Sequence, residues 1–153
     1  MDGWEPRAGD NLIIDTEHNI GYLRHRDGSY GEFRVATGQR RVVAYIGRVY
    51  NATTPVGSWV VKSHHTKADR ITFGPTGSFL RMYRDGEDYT SYGIHGHALS
   101  AEMLTQDVRF ESMGCIIVSE EVIHILEQTF EKNGQRLDVT TLYGPPVFSQ
   151  EGP

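Results

Sequence analysis

Short apolar runs separated by turn residues dominate the chain, and most of them alternate with a period of two. Leu12-Ile13-Ile14 precedes the turn residues Thr16-Glu17-His18-Asn19, and Ile20 to His25 alternates behind them, which predicts a strand, a turn and a second strand. Asp27-Gly28 suits a hairpin turn, so Gly31 to Gly38 reads as the returning strand of a β-meander. Arg40 to Tyr50 carries Val42, Val43, Tyr45, Ile46, Val49 and Tyr50 and reads as a strand or an extended connection. Pro55 holds Thr54 extended, Gly57 permits a tight turn, and Trp59 to Lys62 has strand propensity. Ser63 to Arg70 is a polar excursion. Ile71-Thr72-Phe73 and Ser78 to Tyr83 read as strands on either side of Gly74-Pro75-Thr76-Gly77, and Tyr89 to Ile94 follows a turn at Arg84 to Asp88.

A helical period enters late. Ala98 to Leu104 predicts a short helical turn or a lid. Ser119 is a suitable N-cap for a helix over Glu120 to Lys132, with two glutamates at its positive end and Asn133-Gly134 as its stop. Val122, Ile123, Leu126 and Phe130 form one apolar face of that helix, and Leu137 to Leu142 reads as a last strand. The expected architecture is mainly β, a sandwich or an open-barrel-like mixed sheet, with one main helix packed on it. Residues 1–10 read as a flexible arm, 11–143 as the domain and 144–153 as a tail with little to bury.

Composition narrows the classes. A chain of 153 residues with 38% apolar and 23% charged residues is one domain that folds without staples. The net charge of −5 and the lack of a basic cluster interleaved with aromatics argue against nucleic acid as a partner. No apolar run reaches the ~18 residues of a membrane span, and Met1 to Pro6 has neither the basic start nor the apolar core of a signal peptide. Oligomeric state is not legible.

The chemistry centres on the only cysteine. Ser112-Met113-Gly114-Cys115-Ile116 places it at a turn entering an apolar run, where the amides of Gly114 and Cys115 can converge as an oxyanion hole beside the sulfur. Twenty residues upstream, His95 stands in Gly93-Ile94-His95-Gly96-His97, which supplies the imidazole of a thiol–imidazole pair. The alternative is a buried cysteine acting as a small hydrophobe. His95, His97 and Cys115, with His64-His65, also resemble a partial zinc site. No metal or other cofactor is expected there, however.

The order of these motifs resembles the catalytic domain of the L,D-transpeptidases of the YkuD type. It covers the two-strand start, Val35-Ala36-Thr37-Gly38, Thr54-Pro55-Val56-Gly57-Ser58-Trp59, Ile94-His95-Gly96 and Ser112-Met113-Gly114-Cys115-Ile116, over about residues 11 to 143. The resemblance implies a cysteine acyltransferase that acts on peptidoglycan stem peptides in cell-wall biogenesis outside the cytoplasm. Cys115 is then the nucleophile, His95 the base, and Gly96 the carbonyl that orients the imidazole. Ser112, Tyr92, Trp59 and His97 are candidates for substrate contact, and carbapenem acylation of Cys115 is implied. An L,D-carboxypeptidase, a wall-targeting effector hydrolase and a catalytically degenerate wall-binding module are the alternatives. Two positions depart from the family: Met113 stands where a second histidine is usual, and Ile117 where an arginine is usual.

Overall fold

The alternation at the N-terminal end does form a meander in the computed structural model, which describes residues 1–148. Strands β1 (Asn11–Asp15), β2 (Ile20–Arg24) and β3 (Tyr30–Arg34) pair antiparallel in order. On β3 the period of two is plain, with Phe33 buried and Tyr30, Glu32 and Arg34 exposed. The returning strand ends sooner than expected. After Arg34 the chain leaves the sheet, and the two-residue β4 (Thr37–Gly38) pairs in parallel with β10 (Phe110–Ser112).

Arg40 to Tyr50 is a hairpin of β5 (Val42–Tyr45) and β6 (Arg48–Asn51), not one extended piece. Its turn puts both Ile46 and Gly47 at positive φ, 50° and 71°. An isoleucine at such a position carries no turn signal, because β-branched residues avoid it. β7 (Gly57–Thr66) runs through the segment that reads as a polar excursion. Past a register shift between Val61 and Ser63, His64, His65 and Thr66 pair with Leu80, Phe79 and Ser78 of β8 (Ser78–Arg84), and the ladder overrides their polarity. Ile71 to Phe73 is a turn instead of a strand. Asp69 Oδ1 accepts from the amides of Ile71 and Thr72, and its Oδ2 accepts from Thr72 Oγ1, so a local side-chain turn outcompetes pairing. Of Tyr89 to Ile94, only the end joins the sheet, as β9 (Gly93–His95).

The remaining elements are α1 (Ser100–Met103), β11 (Ile116–Ile117), α2 (Glu120–Lys132) and β12 (Leu137–Leu142). Ser119 caps α2 by accepting from the Val122 amide at 3.2 Å, and Gly134 follows it at φ 67°. Val122, Ile123, Leu126 and Phe130 bury the predicted face against Leu12, Ile14, Trp59 and Val139 of the sheet. That sheet has eight strands in the order β11-β9-β8-β7-β12-β1-β2-β3. It curls far enough that Ala36, just beyond β3, exchanges two backbone hydrogen bonds (2.9 and 2.8 Å) with Ile117 of β11. The fold is therefore mainly β, a curled sheet around one main helix. No helix among the described residues is long and apolar enough to cross a membrane.

The N-terminal end departs from its expectation. Residues 1–10 are docked, because Trp4 stacks on His25 with ring centroids 3.8 Å apart and His25 Nδ1 lies 2.6 Å from the buried Asp10 Oδ1. Asn133, after α2, accepts from the Gly9 amide and closes the attachment. Of the tail, Phe148 stacks on Tyr30 at 4.3 Å, and residues 149–153 lie outside the described residues.

A buried arginine staples the segment that returns to the site. Arg109 is 4% exposed, and its guanidinium donates to the carbonyls of Val35, His18, Asn19 and Gln106. Arg109→Ala leaves these oxygens without their donor and is expected to lower stability by roughly 3–5 kcal/mol. A fall in the urea midpoint at constant slope checks this, and Arg109→Lys restores only part because it cannot reproduce the planar fork.

Candidate active site

Pairing register puts the candidate residues in two rows across three neighbouring strands. β9 lies antiparallel to β8, with His95 opposite Phe79 and Gly93 opposite Arg81. β11 lies parallel to β9, with Ile117 opposite His95 and Ile116 opposite Ile94. One row is therefore Phe79–His95–Ile117. The other is Arg81–Gly93–Cys115, since Cys115 directly precedes the Ile116 pair. Residues two apart share a face, so both rows look into the same hollow. His95 and Cys115 together line a cavity of about 420 Å³.

His95 is 4% exposed and lies between Phe73 and Phe79, with ring centroids at 4.8 and 5.9 Å. Its Nδ1 lies 2.5 Å from the Gly96 carbonyl oxygen, an acceptor only, so Nδ1 carries the proton and Nε2 is left as the acceptor. Burial pushes this imidazole down to about 4, against the opposing effect of the Gly96 bond. The Cys115 sulfur lies 3.8 Å from the Ser91 carbonyl oxygen, half-buried at the cavity wall. Crowding by protein on its other sides pushes the thiol up to about 11, although the Gly93 amide and the charges of Arg81 and Lys67 pull the other way. At neutral pH both partners are uncharged.

The turn that presents Cys115 is held by side chains from three segments. Ser112 Oγ accepts from the Gly114 amide at 3.1 Å and donates to the Cys115 carbonyl at 2.5 Å. Thr54, extended by Pro55, donates to the Gly114 carbonyl at 2.8 Å and accepts from the Gly38 amide at 2.9 Å, which gives the Thr-Pro-x-Gly motif its place. Tyr50 donates to the Met113 carbonyl at 2.7 Å. These bonds revise the two-amide oxyanion hole: the Gly114 amide points at Ser112 Oγ, and the Cys115 amide remains as the candidate donor. Ser112 accordingly shapes the turn.

Gly114 has φ 130°, and a Cβ there would come within 2.7 Å of the Tyr92 ring. Gly114→Ala is expected to cost about 1–3 kcal/mol in backbone strain and to displace Tyr92 from beside the thiol. A misplacement of ~1 Å at a reacting group costs ~10²-fold in rate, so turnover should fall further than the melting temperature suggests; both are read on the same protein.

Other candidates separate cleanly. Tyr92 lines a second cavity of about 530 Å³, which also reaches Cys115. Trp59 does not line either cavity. It is 2% exposed, donates to Thr141 Oγ1 at 3.0 Å and meets Tyr92 edge-on, because its strand position faces the core. His97 lines the smaller cavity and accepts from the Leu99 amide at 3.0 Å. Among the described residues the one set of three ligand groups that converges is Asp15, Glu17 and His18, away from His95, His97 and Cys115. The expected lid at Ala98 to Leu104 contributes Met103 alone, whereas Tyr45 and Ile46 of the β5–β6 hairpin line both cavities.

Sequence reading passed over Arg81 and Lys67, which line the cavity shared by His95 and Cys115. A signal was present: in a β8–β9 hairpin, Phe79 and Arg81 fall on the face of Gly93 and His95. Ile117, where a charge is usual, is 3% exposed and packs with Ala36 and Leu104, which an arginine could not do without burying its charge.

With this fold and site described, the family follows. The chain belongs to the YkuD family, the L,D-transpeptidase catalytic domain, whose model matches residues 10–134. Solved structures show the same fold. An L,D-transpeptidase from Xylanimonas cellulosilytica aligns with TM-score 0.60 and 20% identity, over 91% of this chain and 63% of that one. Bd1075 of Bdellovibrio bacteriovorus aligns with TM-score 0.64 and 15% identity, over 94% and 51%. The helical cell shape determining protein Pgp2 of Campylobacter jejuni aligns with TM-score 0.62 and 16% identity, over 92% and 50%. The chain thus spans between half and under two-thirds of these structures. No curated protein matches it.

Proposed function

We propose that this domain transfers acyl groups between peptidoglycan stem peptides outside the cytoplasm, with Cys115 as nucleophile and His95 as general base. The observation that carries the reading is the placement of Cys115 on the walls of two cavities, one shared with His95 and the other lined by Tyr50 and Tyr92. A transfer reaction needs two routes to one sulfur, one for the acyl donor and one for the acceptor amine.

In the first half-reaction His95 Nε2 takes the thiol proton as sulfur attacks the carbonyl preceding the terminal D-alanine. The carbonyl oxygen becomes an oxyanion beside the Cys115 amide, a donor typically worth ~2.7–4 kcal/mol. On collapse the C–N bond breaks, the imidazolium returns its proton to the leaving amine, and a thioester remains. An amine from a neighbouring stem then attacks the thioester, His95 takes its proton, and the sulfur leaves as thiol. The Gly96 carbonyl keeps Nδ1 protonated throughout, so Nε2 faces the reaction.

The test is incubation with a disaccharide tetrapeptide, read by mass spectrometry of both products and protein. Loss of D-alanine with cross-linked dimers is the expected result. Loss without dimers makes the domain an L,D-carboxypeptidase. Neither turnover nor an adduct on Cys115, with substrate or with a carbapenem, overturns the catalytic reading and favours a wall-binding module.

A further inference from the structure

We infer that Arg81 is an anion-binding residue of this site, poised to hold the terminal carboxylate of the substrate while Cys115 attacks the adjacent carbonyl. The inference rests on the proposed reading of the site and adds the group that the substrate must carry.

Arg81 is 8% exposed, an unusual place for a guanidinium. Its Nη1 donates to the Thr90 carbonyl at 2.7 Å, its Nε lies 3.4 Å from His65 Nε2, and the group sits 5.0 and 4.5 Å over the rings of Phe79 and Tyr89. These are neutral partners. Burial, followed by the charges of Arg81, Lys67 and His64, lowers the pKa of His65, so that imidazole adds no anion and no further cation at neutral pH. Among the described residues no carboxylate lies within 4.0 Å of Arg81 or of Lys67. A buried charge without a counter-ion is costly unless an anion completes it in the working state.

Its position says which anion. Arg81 and Cys115 occupy one row with Gly93 between them, so no side chain intervenes, and the two residues are two strand spacings or about 10 Å apart at the backbone. An arginine side chain spans much of that distance. The cavity they share holds Lys67 and Arg81 against Glu111, a local reversal in a chain of net charge −5. Guanidinium binds carboxylate through two parallel hydrogen bonds. A peptide whose last residue leaves as the amine carries its free carboxylate one carbon from the scissile nitrogen, within that reach.

The experiment compares stem tetrapeptides ending in a carboxylate or a carboxamide, with the native enzyme, Arg81→Gln and Arg81→Lys. The native enzyme is expected to prefer the acid by ~10²-fold in kcat/KM, with the difference mainly in KM, and Arg81→Gln to bring that ratio near 1, as loss of a charge-assisted bidentate contact implies. Arg81→Lys should keep part of the preference. An equal preference in native and Arg81→Gln enzyme overturns the inference and leaves the proposed activity standing. A tetrapeptide with lysine in place of a carboxylated diamino acid should retain the dependence on Arg81; its loss there overturns the assignment to the terminal carboxylate. Alkylation of Cys115 by iodoacetate relative to iodoacetamide needs no turnover. That ratio should fall ~10-fold in Arg81→Gln; if it falls while no peptide is turned over, the anion site stands and the proposed substrate class fails, and an unchanged ratio overturns the anion site.

Discussion

Cys115→Ala is expected to release no terminal D-alanine above background and to take no acyl adduct, a loss of at least ~10³–10⁴-fold. The size follows from the chemistry, because no other thiol exists in the chain and the sulfur is where both cavities meet. Cys115→Ser should do little better. A hydroxyl gives up its proton far less readily than a thiol, and an imidazole held near 4 is a weak base for the task. Stability provides the control. The Cys115 side chain is half-buried at a cavity wall and its thiol makes one long contact, to the Ser91 carbonyl, so its removal should change unfolding free energy by about 1 kcal/mol or less. A variant that melts like the native protein yet retains turnover would remove Cys115 from the mechanism.

What the sequence disclosed depended on whether a signal was local. α2 was legible because its cap, its apolar period and its stop all lie within 16 residues, Ser119 to Gly134. The β-meander was legible for the same reason. The second part of β7 was not, since the residues that pair Ser63 to Thr66 into the ladder belong to β8, beyond a long turn. Ile71 to Phe73 misled because Asp69 holds the backbone in a turn that an apolar run does not announce.

The site divided along the same line. Cys115 and His95 could be named from spacing and the Gly96 carbonyl from the family resemblance; His95 and Cys115 line one cavity, and the Gly96 carbonyl meets His95 Nδ1. The fate of the Gly114 amide could not, because it is set by the Ser112 hydroxyl folding back over two residues. Trp59 has the same strand propensity whether it faces the groove or the core, and register decides for the core. Arg81 is one arginine among many until Gly93 is seen opposite it, with Cys115 beyond.

The second large effect is a pH profile that identifies the resting protonation state. Because burial pushes His95 down to about 4 and Cys115 up to about 11, the thiol and imidazole are both neutral over the range between, and an ion pair is uphill. Proton transfer must then accompany carbon–sulfur bond formation. The sign follows: kcat/KM should be level from mildly acidic to mildly alkaline pH and fall below it, as protonation of His95 near about 4 removes the base. His95→Ala should lose ~10²–10⁴-fold at neutral pH. Its remaining rate should climb about tenfold per pH unit toward the thiol pKa, because only thiolate can then attack. Alkylation by iodoacetamide should likewise still be rising past the ~8.5 of a free cysteine, toward about 11. An acid limb at or above the ordinary histidine range, together with thiolate absorbance at neutral pH, would establish a thiolate–imidazolium pair and reverse the proton inventory. The burial that sets the lower value is the one that seats His95 between Phe73 and Phe79, so opening that pocket, as Phe73→Ala does, should move the acid limb upward.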